Sequence, residues 1–234
     1  DKLEMEKVPL AGYPIKGLWI SGFHRHFTLK NIWFPFKLVT SLIQSFILLK
    51  KFKPDVAIGV GGFASGPVLA VSSWLGIPFF LQEQNAYPGV TNRLLKNKAE
   101  KIFVAYRQME SFFPKEKIVL SGNPIRAVFQ NTLPTTKEAR GFFEIEGFSK
   151  VVLVIGGSLG AASVNRAVQS GIVAEPLSNE VFWIWQVGAK NYQDLQKTEV
   201  FNRKNVLILP FIDRMDMAYA ASDLVVGRAG ALTI

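Results

Sequence analysis

Beyond Asp55 the chain alternates between short, almost wholly apolar runs and longer stretches in which apolar residues recur every three or four positions. The runs are DVAIGV (55–60), PFFLQE (78–83), KIFVAY (101–106), KIVLSG (117–122), VVLVIG (151–156), VFWIWQV (181–187), NVLILP (205–210) and DLVVG (223–227). Their length and their β-branched and aromatic content predict strands. Val164, Val168 and Ile172 keep an i, i+4 register, and Met217, Ala218 and Ala221 gather after Asp213, which predicts helices between the strands. Continuous apolar strands separated by helices form a parallel sheet covered on both faces. The predicted class is α/β.

After the fourth run the pattern breaks at GNPIRAVFQNTLPTTKEARGFFEIEGFSK (122–150), a polar passage bearing Pro and Gly, and then restarts. This predicts two α/β domains, 1–126 and 127–234, with the crossing near Asn123–Arg126. Three Gly-rich turns fall at strand ends: GVGGFASGP (59–67), GGSLG (156–160) and GRAGALT (227–233). Ligands of open α/β sheets sit at the carboxyl ends of strands. Three such turns, divided between two domains, predict one cleft with anionic or polyhydroxy ligands on both walls.

The turn GGSLG admits three readings. Bare glycines and a following helix start suit an anion, with Ser158 as cap or phosphate donor. The same residues match G-x-S-x-G, the nucleophile elbow of α/β-hydrolases. A tight turn with no chemistry is the third. A Ser elbow needs a His after the Ser, and the chain's two histidines, His24 and His26, both precede it. No G-x-x-x-x-G-K-[ST], no G-x-G-x-x-G in context and no D-x-D is present, which argues against a P-loop, an ordinary dinucleotide site and a metal-dependent sugar-nucleotide site.

Composition narrows the classes further. Nearly half of the 234 residues, 49%, are hydrophobic and 19% are charged, so disorder is not expected. The formal net charge of +9 points to an anionic partner: nucleotide phosphates, nucleic acid or an acidic lipid surface. The absence of cysteine excludes disulfides and thiolate metal sites. There is no initiator Met and no signal peptide, and the chain stops as a new helix opens, so it reads as part of a longer protein.

Residues 17–53, GLWISGFHRHFTLKNIWFPFKLVTSLIQSFILLKKFK, mix Trp19, Phe23, Phe27, Trp33, Phe34 and Phe36 with Arg25, Lys30 and Lys37, and Lys16 directly precedes them. Aromatic residues beside cations suit an anionic membrane interface. The apolar stretch is interrupted by Pro35, Lys37 and Gln44, and positions 37, 40, 41, 44 and 45 share one helical face, which predicts a helix lying at a surface rather than spanning a bilayer. An ordinary core helix is the alternative.

Taken in order and spacing, KPDVAIGVGGFASGP, LQEQNAYPGVTNRLL, SGNPIR, VIGGSLGAASVN, LPFID and RAGALT resemble the MurG family of glycosyltransferase family 28, over nearly the whole chain. The resemblance implies the GT-B fold, two Rossmann-like parallel-sheet domains facing across a cleft. It also implies transfer of N-acetylglucosamine from UDP-GlcNAc to the 4-hydroxyl of the muramoyl lipid acceptor, lipid I, with inversion and with no cofactor, no metal and no nucleic-acid partner. The implied donor-binding residues are Asn85, Arg126, Ser158, Ile212 (through its backbone), Ala231, Leu232 and Thr233, with Glu83 as a possible acceptor or sugar contact. The catalytic residue is unknown, because the family's GGTGGH histidine and its Ser-Glu pair fall beyond the two ends of this chain. Residues 17–53 would face an anionic membrane, giving a peripheral protein on the cytoplasmic face of the bacterial inner membrane. A non-catalytic nucleotide-binding or membrane-docking module and a hydrolase using Ser158 are the alternatives.

Overall fold

The computed structural model describes residues 3–22, 33–129, 132–157, 160–174 and 180–230. Contacts divide the chain into two compact units, Asp1–Asn123 and Pro124–Ile234. All eight predicted runs contain strands, and every pairing is parallel.

The first unit holds β1 (Ala57–Gly59), β2 (Phe79–Glu83), β3 (Ile102–Val104) and β4 (Ile118–Leu120), in that spatial order. Its helices are α1 (Leu3–Leu10), α2 (Phe34–Phe52), α3 (Gly62–Trp74) and α4 (Val90–Leu95). Leu69 of α3, Phe79 and Leu81 of β2, and Ile102 and Val104 of β3 make its core. Helix α3 lies so close to β1 that a Cβ on Gly59 would stand 2.2 Å from Leu69 Cδ1, which is why the strand ends in glycine there.

The second unit orders its strands β7-β6-β5-β8: β5 (Lys150–Ile155), β6 (Val181–Gln186), β7 (Val206–Leu209) and β8 (Leu224–Gly227). Successive side chains of a strand point to opposite faces. Val151 and Leu153 accordingly join Ala139 of α5 (Thr136–Phe142) with Ala218 and Ala221 of α8 (Met215–Ala221) on one face. Val152 and Val154 join Ile172 of α6 (Ala162–Ala174) and Leu195 of α7 (Ala189–Leu195) on the other. The i, i+4 residues Val164 and Val168 pack on that second cluster, as their register predicts.

Coverage of both faces holds for the inner strands and fails at β1 and β8. Ile58 is 68% exposed and Leu224 57%. Among the described residues each of these two strands has a ladder partner on one side only.

Helix α2 turns its polar face toward the protein. Ser41 and Ser45 are fully buried and donate to the carbonyls of Leu38 and Ser41. Gln44 Oε1 accepts from Trp19 N–H, and Lys37 Nζ donates to Ser21 Oγ. Small serines with internally satisfied hydroxyls let a neighbouring segment approach without an orphaned polar group. The exposed face is therefore the apolar one: Phe36, Val39, Ile43, Phe46 and Ile47, with Lys50 and Lys51 at the end of the helix. Among the described residues no helix is long and apolar enough to cross a membrane.

Asp223 fastens the start of β8. Its carboxylate accepts from Val151 N–H at 2.7 Å and from Arg140 Nη2 at 2.9 Å, with Lys150 Nζ at 3.7 Å. The Val151 hydrogen bond, followed by the two cations, holds this carboxyl below its ordinary value of 3.8. A group whose value is lowered on folding stabilises the fold above its unfolded value, and that stabilisation disappears as pH falls through the lowered value. Asp223→Asn should cost about 1 kcal/mol at neutral pH, the side chain being partly solvated. It should also flatten the loss of stability below about pH 4. Urea midpoints of both proteins across acidic pH check this; parallel curves would contradict it.

Candidate functional site

In the first unit a buried carboxylate organises the loop after β2. Glu83, 3% exposed, accepts four hydrogen bonds. At Oε1 the donors are Asn85 N (3.0 Å) and Asn85 Nδ2 (3.1 Å). At Oε2 they are Gly89 N (3.0 Å) and Asn92 Nδ2 (2.9 Å). Only a carboxylate accepts on both oxygens with no donor to place, and charge-assisted bonds of this kind are the stronger ones. Asn92 Nδ2 also donates to the Gln82 carbonyl, tying α4 to the strand. Thr91 Oγ1 donates to the carbonyl of Gly62, so this loop is joined to the Gly61–Gly62 turn that opens α3. Gln82 Nε2 donates to Asn123 Oδ1, and Asn123 Nδ2 to the Gln84 carbonyl, which brings in the segment after β4. The carboxyl ends of β1, β2 and β4 thus form one polar cluster.

Asn85 is exposed. One N–H of its amide is bonded to Glu83, and among the described residues its Oδ1 accepts nothing, so the carbonyl oxygen and the second N–H remain open. Glu83 holds that acceptor in place, and its own lone pairs are occupied within the loop.

In the second unit the turns after β5 and β7 are tied by one side chain. Gln186, 4% exposed, ends β6 between the two strands. Its Nε2 donates to the Gly157 carbonyl at 3.0 Å, and its Oε1 accepts from Ile212 N–H at 2.8 Å. The glycines of the first turn differ in kind. Gly157 has φ +86° and nothing within 4 Å of where a Cβ would stand, so open space adjoins the backbone. Gly160, φ +74°, has the Val187 carbonyl oxygen 2.0 Å from that position, so no side chain fits. Asn165 of α6 donates to that same carbonyl and accepts from Trp185 Nε1, which fixes the helix against β6.

The other predicted residues are placed as follows. The Ile212 side chain is buried in the sheet core and its N–H is taken by Gln186, which leaves its carbonyl as the backbone group to offer. Arg126 is exposed, with its guanidinium 5.8 Å from the centre of the Phe129 ring, and Phe129 packs edge-on against Tyr219. Ser158, Ala231, Leu232, Thr233, His24 and His26 lie outside the described residues. Sequence reading missed Asn92, Asn165 and Gln186. For Gln186 the available signal was an amide closing an otherwise apolar run, VFWIWQ, whereas Asn92 and Asn165 lie inside helices and carried no such signal.

Replacing Glu83 by Gln would turn one of its oxygens into a donor facing N–H groups. Glu83→Gln should cost about 2 kcal/mol, the scale for lost hydrogen bonds to a charged group. Asn85→Ala, which removes an exposed partner, should cost clearly less. Urea unfolding of the two variants ranks them, and an equal or reversed ranking would show that the carboxylate does not hold the loop.

Comparison with known proteins shows the family and the fold. The chain matches the glycosyltransferase family 28 N-terminal domain over residues 1–104 and the glycosyltransferase family 28 C-terminal domain over residues 151–234. It is 50% identical over 234 residues to the UDP-N-acetylglucosamine–N-acetylmuramyl-(pentapeptide) pyrophosphoryl-undecaprenol N-acetylglucosamine transferase of Flavobacterium psychrophilum, covering 100% of this chain and 63% of that protein. To the protein of the same name from Christiangramia forsetii it is 47% identical, covering 99% and 62%. The crystal structure of Acinetobacter baumannii MurG superposes with a TM-score of 0.64 at 26% identity, covering 99% of this chain and 61% of that one. UDP-GlcNAc 2-epimerase from Neisseria meningitidis, bound to UDP-GlcNAc, shares the fold at a TM-score of 0.58 and 13% identity, covering 90% of this chain and 62% of that one. This chain therefore spans less than two thirds of the length of these relatives. It belongs to glycosyltransferase family 28, and its two parallel-sheet units are the α/β domains of the GT-B fold.

Proposed function

We propose that this chain is part of an inverting glycosyltransferase that moves N-acetylglucosamine from UDP-GlcNAc to the muramoyl 4-hydroxyl of an undecaprenyl-pyrophosphoryl-N-acetylmuramoyl pentapeptide, the step from lipid I to lipid II. The observation that carries the reading is the end of β5. Gly157 stands beside open space, ahead of helix α6, and is tied through the Gln186 side chain to the Ile212 backbone. Such a turn admits a diphosphate to backbone N–H groups and a helix N-terminus. The name shared by the relatives supplies the donor and the acceptor.

In this reading Ser158, Arg126 and the backbone of Ala231, Leu232 and Thr233 hold the diphosphate, and the Ile212 carbonyl faces the uracil. Asn85 Oδ1 accepts from a sugar hydroxyl or amide. As the acceptor hydroxyl attacks the anomeric carbon, its proton passes to a base and the bond to UDP breaks. Negative charge grows on the departing diphosphate, where helix dipole and guanidinium stabilise it. The base itself is not assigned to a residue of this chain.

We also propose that α2 docks on an anionic membrane, making the protein peripheral on the cytoplasmic face of the inner membrane. The outward apolar stripe from Phe36 to Ile47, with Trp33 exposed before it and lysines after it, supports this.

Two experiments test these proposals. In the full-length enzyme Ser158→Ala should weaken UDP binding by about 1–2 kcal/mol, one hydrogen bond to a charged group. Gly157→Val should weaken it more, since it forces a β-branched residue into a left-handed conformation and fills the open space. Covalent labelling of Ser158 by a fluorophosphonate would instead establish a nucleophile, and failure of wild-type protein to bind UDP would remove the donor site. Separately, Ile43→Asp combined with Ile47→Asp should abolish co-sedimentation with anionic liposomes, and raised salt should weaken the wild-type interaction. Unaltered binding by the double variant would exclude α2 as the docking face.

A further inference from the structure

We propose that Gln186 is a positioning residue that sets the distance between the diphosphate and base portions of the donor site, an inference that rests on the donor reading above. Strand β6 lies between β5 and β7, with Gln186 in register with Ile155 on one side and Leu209 on the other. The segments leaving those two neighbours are the ones assigned to the diphosphate and the base. Gln186 reaches both: Nε2 donates to Gly157 O and Oε1 accepts from Ile212 N.

The chemistry of the link fixes the residue type. One partner is a carbonyl and needs a donor, while the other is an N–H and needs an acceptor. A neutral amide carries both on a planar fork. A carboxylate would set an acceptor against the Gly157 carbonyl, and an apolar residue would leave two buried peptide groups unpaired. The side chain is buried, so its bonds are not exchanged freely with water. Carbonyl O of Gly157 also accepts from Gly160 N at 2.9 Å, so the Gln186 bond lands on the peptide that closes the turn.

The functional consequence follows from covalent linkage within the ligand. Uracil and diphosphate are joined through one ribose, so binding the first part places the second at a fixed distance. If the two protein segments hold matching spacing beforehand, the second contact forms without further ordering. Loss of Gln186 would leave each segment able to bind its own part while spoiling the match. Gln186 touches neither part of the ligand in this scheme and acts through the two turns.

The test uses the full-length enzyme with UDP, uridine and inorganic pyrophosphate as probes. Gln186→Met keeps the size and removes both hydrogen bonds. It should raise the Kd for UDP about tenfold, the scale for one to two neutral hydrogen bonds, while changing the Kd for uridine less than about twofold. The KM for the sugar nucleotide should rise with kcat and the acceptor KM nearly unchanged. A merely structural role would instead lower the affinities for UDP and uridine by the same factor, or move kcat with thermal stability, and either result overturns the proposal. A wild-type measurement covers a variant that fails to fold. Pyrophosphate should slow amide hydrogen exchange at 156–161 and also at Ile212, which it cannot touch. Slowing at 156–161 alone overturns the coupling. Wild-type protein that binds no UDP overturns the donor reading and this inference together, whereas UDP binding that is indifferent to Gln186→Met overturns this inference alone.

Discussion

A parallel strand that ends inside a protein leaves the peptide groups of the following loop without ladder partners, and each unit meets that constraint with one buried side chain at the end of an inner strand. In the first unit the neighbours are all N–H donors, and the residue is Glu83. In the second they are one carbonyl and one N–H, and the residue is Gln186. The match between residue type and the polarity of what surrounds it is what buried polar groups require. The segments that carry Asn85, Gly157 and Ile212 are tied by these two side chains, so their geometry begins at strand ends rather than in the loops.

The strands were legible because an inner parallel strand is buried on both faces and writes a continuous apolar run, as VVLVI and VFWIW do. The helices α6 and α8 were legible from the spacing of Val164, Val168 and Ile172 and of Met217, Ala218 and Ala221. The outer strand β8 was recognisable as a strand, but its exposure was not, since Leu224, Val225 and Val226 read like core. Spacing placed residues 37, 40, 41, 44 and 45 on one face of α2, yet it gave no indication that this face turns inward. Periodicity separates two faces of a helix; which one meets the protein depends on tertiary partners such as Trp19 and Ser21.

The site was legible to a smaller extent. Glycine clusters marked the turns, but composition alone does not separate Gly157, which borders open space, from Gly160, which is excluded from having a side chain by the Val187 carbonyl. Glu83 and Asn85 were singled out through the family resemblance, which their stretch LQEQN helps to carry. Gln186 lies about thirty positions from each turn's nearest motif residue or fewer, with no regular spacing to either, so only the sheet brings the three together. Amides that close a strand deserve the attention usually given to charged residues, because their partners are long-range.

The neutral link at Gln186 has one more consequence. Dissolved ions weaken the pull of an arginine on a phosphate, because that is a monopole interaction acting through water. A buried amide bonded to two peptide groups carries no net charge and is shielded from the electrolyte. Ionic strength therefore governs how strongly a nearby arginine attracts an anion, while the shape of the turn that would receive it stays the same in dilute buffer and in brine.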